Sequence, residues 1–185
     1  IAVLHVALIW LICEFVFWIV RRIRKKPFRR YLAGIAAIAL SASVLLYGWV
    51  AAHHVWRTGY TAESDRIESP IRIAMIADSH LGVTLDGADF AREMQRIQAD
   101  SPDLVVLVGD FVDDDSKKAD MLEACRALGA LKTPYGVYFV YGNHDNGYYR
   151  YRDFSSQELR DALSANGVTV LEDASVPIRD DIMLF

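Results

Sequence analysis

Asp78, His80, Asp110, Asn143 and His144, five residues with ligand-type side chains, follow three apolar runs. Gly136-Val137-Tyr138-Phe139-Val140-Tyr141 ends in Gly142-Asn143-His144-Asp145. Ile71-Arg72-Ile73-Ala74-Met75-Ile76-Ala77 ends in Asp78-Ser79-His80, and Leu104-Val105-Val106-Leu107-Val108 ends in Gly109-Asp110. Such runs read as buried strands, and open α/β sheets carry their chemistry beyond the carboxyl ends of the strands. Carboxylate, imidazole and amide oxygen without a thiol suit a hard or borderline divalent metal. Taken singly, Asp78 or Asp145 would more often cap a helix, and Asn-His-Asp is also ordinary turn chemistry. The metal reading rests on three strand ends delivering their polar residues to one edge.

The segments between these runs supply the elements that hold them. Phe90, Met94 and Ile97 mark one face of a helix over about 87–99. Met121, Leu122, Cys125 and Leu128 do the same over about 117–131. Ser155-Ser156-Gln157-Glu158 fits a capping box that opens a helix ending near Asn166-Gly167. Val168 to Leu171 reads as a fourth strand. Two more, 175–179 and 182–185, pair around Asp180-Asp181. Strands alternating with helices predict a largely parallel sheet with right-handed crossovers. Asp113, Asp114 and Asp115 read as a solvated loop. Tyr148, Tyr149 and Tyr151, interleaved with Arg150 and Arg152, suit contact with a substrate phosphate or a lipid surface, or a packed loop.

The first third of the chain has a different character. Residues 1–60 hold eight Lys/Arg and one acid, Glu14, a charge of +7; the remainder carries −11. Residues 1–20 and 31–52 are almost wholly apolar, and each approaches the ~20 residues that cross a bilayer as a helix. Trp18, Trp49 and Trp56 lie near their ends, where indoles anchor at the interface. The basic residues 21–30 between them predict a transmembrane hairpin, residues 1–56, whose loop is cytoplasmic and whose two ends lie outside. An export signal beginning at Arg29-Arg30 is the competing reading, and it too exports the downstream domain. Glu14 is expected to face the second helix or the interface rather than lipid. His53 and His54 read as interfacial. Residues 57–70 form a polar linker, and 71–185 the globular part. Cys13 and Cys125 lack metal-ligand spacing and read as buried thiols. Nothing specifically indicates nucleic-acid binding.

The three motifs, Asp78-Ser79-His80, Gly109-Asp110 with Asp113 and Asp114, and Gly142-Asn143-His144-Asp145, resemble the calcineurin-like metallophosphoesterase family over about residues 71–185. After the N-terminal transmembrane helical hairpin, the resemblance implies an α/β fold, the first half of a metallophosphoesterase α/β sandwich in βαβαβ order. It implies two divalent ions, Mn, Fe or Zn, and hydrolysis of phosphate mono- or diesters by a metal-bridging hydroxide. Asp110 is similar to the family's bridging ligand. Asp78 and His80 look like ligands of the first metal, and Asn143 like a ligand of the second. His144 resembles the family's general acid or transition-state donor, with Asp145 orienting it. The implied enzyme is membrane-anchored, with its catalytic domain extracytoplasmic and a phosphoester substrate such as an envelope lipid or nucleotide-sugar. The alternative is an inactive binding or scaffold module of the same fold.

The family completes its site with later histidines, and His144 is the last here. The expectation is therefore a piece of a longer protein whose remaining half supplies ligands. By itself, 1–185 is expected to bind at most one metal weakly and to turn over no phosphoester usefully.

Overall fold

The computed structural model describes residues 2–26, 28, 31–147 and 151–185. Tyr148, Tyr149 and Arg150, and Arg29 and Arg30 of the basic segment, lie outside the described residues. The chain divides into two compact units, residues 1–57 and 58–185.

The first unit is a pair of helices, α1 (Ala2–Arg24) and α2 (Leu32–Ala52). Both are long and apolar enough to cross a membrane. The helical backbone of α1 continues past the apolar stretch through Arg21, Arg22 and Arg24, so part of the basic segment is helix rather than loop. The small residues Ala33, Gly34, Ala37 and Ser41 are the buried ones on α2. Their spacing places them on one face, where close backbone approach replaces side-chain volume. A Cβ on Gly34 would overlap the Tyr31 ring. The Tyr31 hydroxyl donates to Glu14, so the one acid of α1 meets the start of the second helix. Leucine, isoleucine and aromatic side chains cover the rest of the surface and are exposed.

The second unit is a four-stranded parallel sheet in the order β1 (Ile73–Ile76), β2 (Leu104–Val108), β3 (Val137–Val140) and β4 (Thr169–Leu171). Helices α3 (Gly87–Ala99), α4 (Lys118–Gly129) and α5 (Ser156–Ala165) make the crossovers. Strand order equals chain order, so each βαβ step is between neighbours. One sheet face, Val105, Leu107, Val137, Phe139 and Val168, packs against Phe90 and Met94 of α3, Met121, Cys125 and Leu128 of α4, and Leu159 and Leu163 of α5. The other face leaves Ile73, Met75 and Val108 exposed. An antiparallel pair, β5 (Val176–Arg179) and β6 (Ile182–Leu184), turns at Asp180-Asp181. The fold is that expected: two apolar helices, then an α/β region with a parallel sheet.

Local chemistry ends the elements where the site begins. Asp86 caps α3 by accepting from the Asp89 amide at 2.7 Å. The capping box at α5 is complete: Ser155 Oγ accepts from the Glu158 amide at 3.1 Å, and Glu158 Oε2 accepts from the Ser155 amide at 2.8 Å. Phe111, the residue after Asp110, is buried between Phe90 and Phe139, with ring centroids 5.3 and 6.2 Å away. That aromatic contact seats the loop after β2 on the core.

Candidate metal centre

The register of the sheet brings the three loops together. Val108 of β2 stands beside Val140 of β3, and Ile76 of β1 beside Leu107. Parallel hydrogen bonds continue past the strands: Gly109 N to Val140 O at 3.1 Å, Asp78 N to Gly109 O at 3.2 Å and His80 N to Asp110 O at 3.0 Å. The candidate ligands therefore sit on backbone that is still laced to its neighbours.

That backbone is unusual. Asp78, His80 and Asp110 have φ values of 52°, 40° and 46°, in the left-handed region that non-glycine residues seldom occupy. Side chains in that region need a surrounding structure that enforces it, and such positions concentrate at functional sites. Gly109 (φ 72°) and Gly142 make the close approach possible. A Cβ on Gly109 would lie 3.0 Å from the Gly142 Cα, and one on Gly142 would overlap the Asp110 carboxylate.

Two overlapping groups of donors result. Asp78, His80 and Asp110 each offer an atom, all within 4.8 Å of one another, and so do His80, Asp113 and His144. His80 belongs to both: Nε2 is 4.0 Å from Asp110 Oδ2 and Nδ1 is 2.7 Å from Asp113 Oδ2. The His80 and His144 rings meet edge to face at 5.0 Å. Asp110 Oδ1 accepts from the His144 amide at 3.0 Å. Asn143 lies on the same loop and is exposed.

Asp113 and Asp114 depart from the expectation of a solvated loop: both are mostly buried and turn inward, and only Asp115 is exposed. Ser116 drives the turn. It is buried, its hydroxyl donates to Leu81 O, and its Oγ accepts from Asp113 N at 2.7 Å. Burial pushes the Asp113 carboxyl up, but the Asp114 amide, the His80 hydrogen bond and the charges of both imidazoles outweigh it and hold the group below its ordinary value.

The partner of His144 also differs from the sequence reading. Asp145 is fully buried and turns away from the imidazole: Oδ1 accepts from Val112 N at 3.0 Å and Oδ2 from Gly142 N at 2.8 Å. It staples the His144 loop to the loop after β2. Burial raises its pKa, the amides of Val112, Gly142 and Phe111 counter this in part, and the Asp110 charge adds to the rise. Adjacent residues in a tight turn point apart, so chain proximity to His144 did not bring side-chain contact. The carboxylates facing His144 Nδ1 are instead Asp114, at 3.6 Å, and Asp113, at 3.8 Å. Both are beyond hydrogen-bond length. His144 Nδ1 and Asp114 Oδ1 are buried polar atoms without a hydrogen-bond partner. Unsatisfied groups of this kind beside several carboxylates fit a site that gains a cation.

The flanking residues fall into place around this loop. Tyr151 is exposed, while Arg152 turns inward onto the carbonyls of His144 and Asp145. His53, in the other unit, uses Nδ1 on the Trp49 carbonyl at 2.8 Å and closes α2.

A family model described as calcineurin-like phosphoesterase matches residues 71–180. The chain is 27% identical over 157 residues to the uncharacterized metallophosphoesterase YkuE of Bacillus subtilis, covering 80% of this chain and 53% of that protein. It is 36% identical over 75 residues to a transmembrane protein with metallophosphoesterase domain from Danio rerio, covering 40% and 17%. It is 34% identical over 84 residues to the UDP-2,3-diacylglucosamine pyrophosphatase LpxG of Chlamydia trachomatis, covering 45% and 25%. The chain thus spans about half the length, or less, of these curated relatives.

Proposed function

The chain belongs to the calcineurin-like phosphoesterase family, and we propose that it acts in a membrane-anchored phosphoesterase that uses two divalent ions. The observation that carries this reading is the meeting of Asp78, His80 and Asp110 within 4.8 Å at the ends of two adjacent strands, β1 and β2. In this reading Asp78, His80 and Asp110 would hold one ion, and Asp110 with Asn143 a second. Bound ions would lower the pKa of water and take up charge on the phosphoryl oxygens. A bond forms from water oxygen to phosphorus as the ester P–O bond breaks. The departing oxygen needs a proton, and we assign that donation to His144, as imidazole general acids do. Asp113 and Asp114 are the carboxylates nearest His144 Nδ1, at 3.8 and 3.6 Å, and would supply negative charge beside the ring, in place of the part that the resemblance implied for Asp145. Asp145 holds the loop through backbone amides.

Two helices of membrane-spanning length support an anchor, and the basic segment at the end of α1 supports a cytoplasmic turn with the α/β unit outside. The name of the Chlamydia relative, a UDP-2,3-diacylglucosamine pyrophosphatase, makes lipid-linked and nucleotide-sugar phosphoesters the first substrates to try.

The test uses the whole protein that carries this chain, in detergent, titrated calorimetrically with Mn²⁺ and assayed against a panel of mono- and diesters. Asp110→Asn is expected to weaken metal binding and abolish turnover. His144→Ala should keep the metal and slow turnover by about 10²–10⁴-fold. Metal binding without turnover on any ester would favour a binding or scaffold module. Loss of metal in His144→Ala with full activity in Asp110→Asn would reverse the assigned roles.

A further inference from the structure

His144 is held at both sides of its backbone. Its N–H is engaged by Asp110 Oδ1 at 3.0 Å. Its carbonyl accepts from Gly147 N at 3.1 Å and from Arg152 Nη1 at 3.0 Å. Arg152 goes further: Nη2 donates to the Asp145 carbonyl at 2.7 Å and to Ser156 Oγ at 2.9 Å. The guanidinium lies over the Phe154 ring, 4.8 Å from its centroid, and Phe154 is buried. Ser156 is the first residue of α5, whose start is fixed by the capping box and whose Leu159 and Leu163 are in the core. A single side chain therefore ties two consecutive carbonyls of the His144 loop to a rigid helix.

Three of the five guanidinium N–H donors are spent on these contacts. The loop is shaped around the group as well. Gly147 has φ 69°, and a Cβ there would lie 3.0 Å from Arg152 Nη2 and 3.2 Å from Ser156 Oγ. An ammonium could neutralise charge at this place, but it lacks the planar fork that reaches both carbonyls and stacks on a ring.

We propose that Arg152 is a positioning residue: it clamps the His144–Asp145 backbone to the N-terminus of α5 and so sets where the His144 imidazole stands, without itself touching substrate. Its effect on turnover rests on the phosphoesterase reading above. Its effect on the loop does not.

The experiment compares Arg152→Ala, Arg152→Lys and, as a surface control, Arg160→Ala in the whole protein that carries this chain, in detergent. Amide hydrogen exchange is read over residues 142–147 and over the core of α4, together with kcat and KM on a chromogenic phosphoester. Arg152→Ala is expected to raise exchange in 142–147 while α4 keeps its protection. It should lower kcat by about 10²-fold, the effect of displacing a reacting group by about 1 Å, with KM changed little. Added guanidinium should recover part of the rate. Arg152→Lys should resemble Arg152→Ala, and Arg160→Ala the parent. Unchanged exchange in 142–147 would overturn the clamp, as would a raised KM at constant kcat, which would make Arg152 a substrate ligand. Parent-like behaviour of Arg152→Lys would reduce its role to charge alone and also overturn it. If the whole protein hydrolyses no ester, the phosphoesterase reading fails, and the exchange comparison still decides the clamp. If Arg152→Ala does not fold, Arg152→Lys decides it by the same exchange measurement.

Discussion

Gly142 and the Asp110 carboxylate occupy one space: a methyl group on Gly142 would overlap Asp110 Oδ1 and the Asp110 backbone nitrogen. The glycine that opens the His144 loop is thus what lets Asp110 reach the His144 amide. Gly142→Ala should force Asp110 off that bond, destabilise the α/β unit by about 1–3 kcal/mol and weaken Mn²⁺ binding. Gly59, with nothing within 4 Å, is the comparison, and Gly59→Ala should be near neutral. Thermal denaturation and calorimetric titration read both effects. Parent-like metal affinity in Gly142→Ala would show that Asp110 needs no fixed position.

The three consecutive aspartates should separate by burial. Asp113 bonds His80 Nδ1 at 2.7 Å and faces His144, whereas Asp115 is exposed. Carboxylates that orient ligating imidazoles are worth about 10–100-fold in metal affinity or activity. Asp113→Ala should show a loss of that size and Asp115→Ala almost none, measured by Mn²⁺ titration. Equal effects would return the whole run to a solvated loop.

The link between α4 and α5 predicts an acid-sensitive contribution. Lys118 Nζ and Glu158 Oε1 are 2.5 Å apart, and the Ser155 amide and hydroxyl add to the Lys118 effect, holding the Glu158 carboxyl at about 2 against an ordinary 4.5. A carboxyl depressed in the folded state contributes stability above its unfolded value and loses it as pH falls through the folded one. The parent should therefore lose thermal stability between pH 4.5 and about 2 in part through this group. Glu158→Gln should flatten that portion of the curve. The pair is exposed to solvent, so high salt should shrink the difference. Identical pH profiles for parent and variant would remove Glu158 from the account.

The cap of α5 gives a simpler stability test. Ser155→Ala deletes the hydroxyl that accepts from Glu158 N, and N-cap losses of this kind cost about 0.5–2 kcal/mol. Ser155→Asp should retain most of the stability, since a carboxylate accepts the same bond. Chemical denaturation of both variants checks this, and an alanine variant as stable as the parent would contradict the cap's importance.

The proposed topology is open to labelling. Both native thiols, Cys13 and Cys125, are buried, and burial raises the Cys125 pKa to about 12, so background reaction should be low. A Thr61→Cys thiol in the exposed 57–70 segment should react with an impermeant reagent on intact cells. Reaction only after lysis would place the α/β unit in the cytoplasm.

Much of this protein was legible from residue order because its elements are locally encoded. The first three parallel strands are short apolar runs that lead into Gly or Asp, each crossover helix shows an apolar face at helical spacing, and the capping box at Ser155 is a four-residue signal that folded as written. The meeting of Asp78, His80 and Asp110 follows from the same pattern, since neighbouring parallel strands must end at one edge. The contacts of His144 were not legible. Asp145 is its chain neighbour, yet the turn sends Asp145 to backbone amides, and the β2–β3 register carries Asp113 and Asp114, about thirty residues earlier, to the imidazole. Arg152 is a similar case: its place among tyrosines suits contact with a substrate phosphate or a lipid surface, or a packed loop, and only the folding of the chain around Gly147 turns it onto the His144 and Asp145 carbonyls. Local periodicity determines which elements form and where they end. Which side chains meet across loops depends on strand register and backbone torsions, and those are decided only when the sheet and its helices pack together.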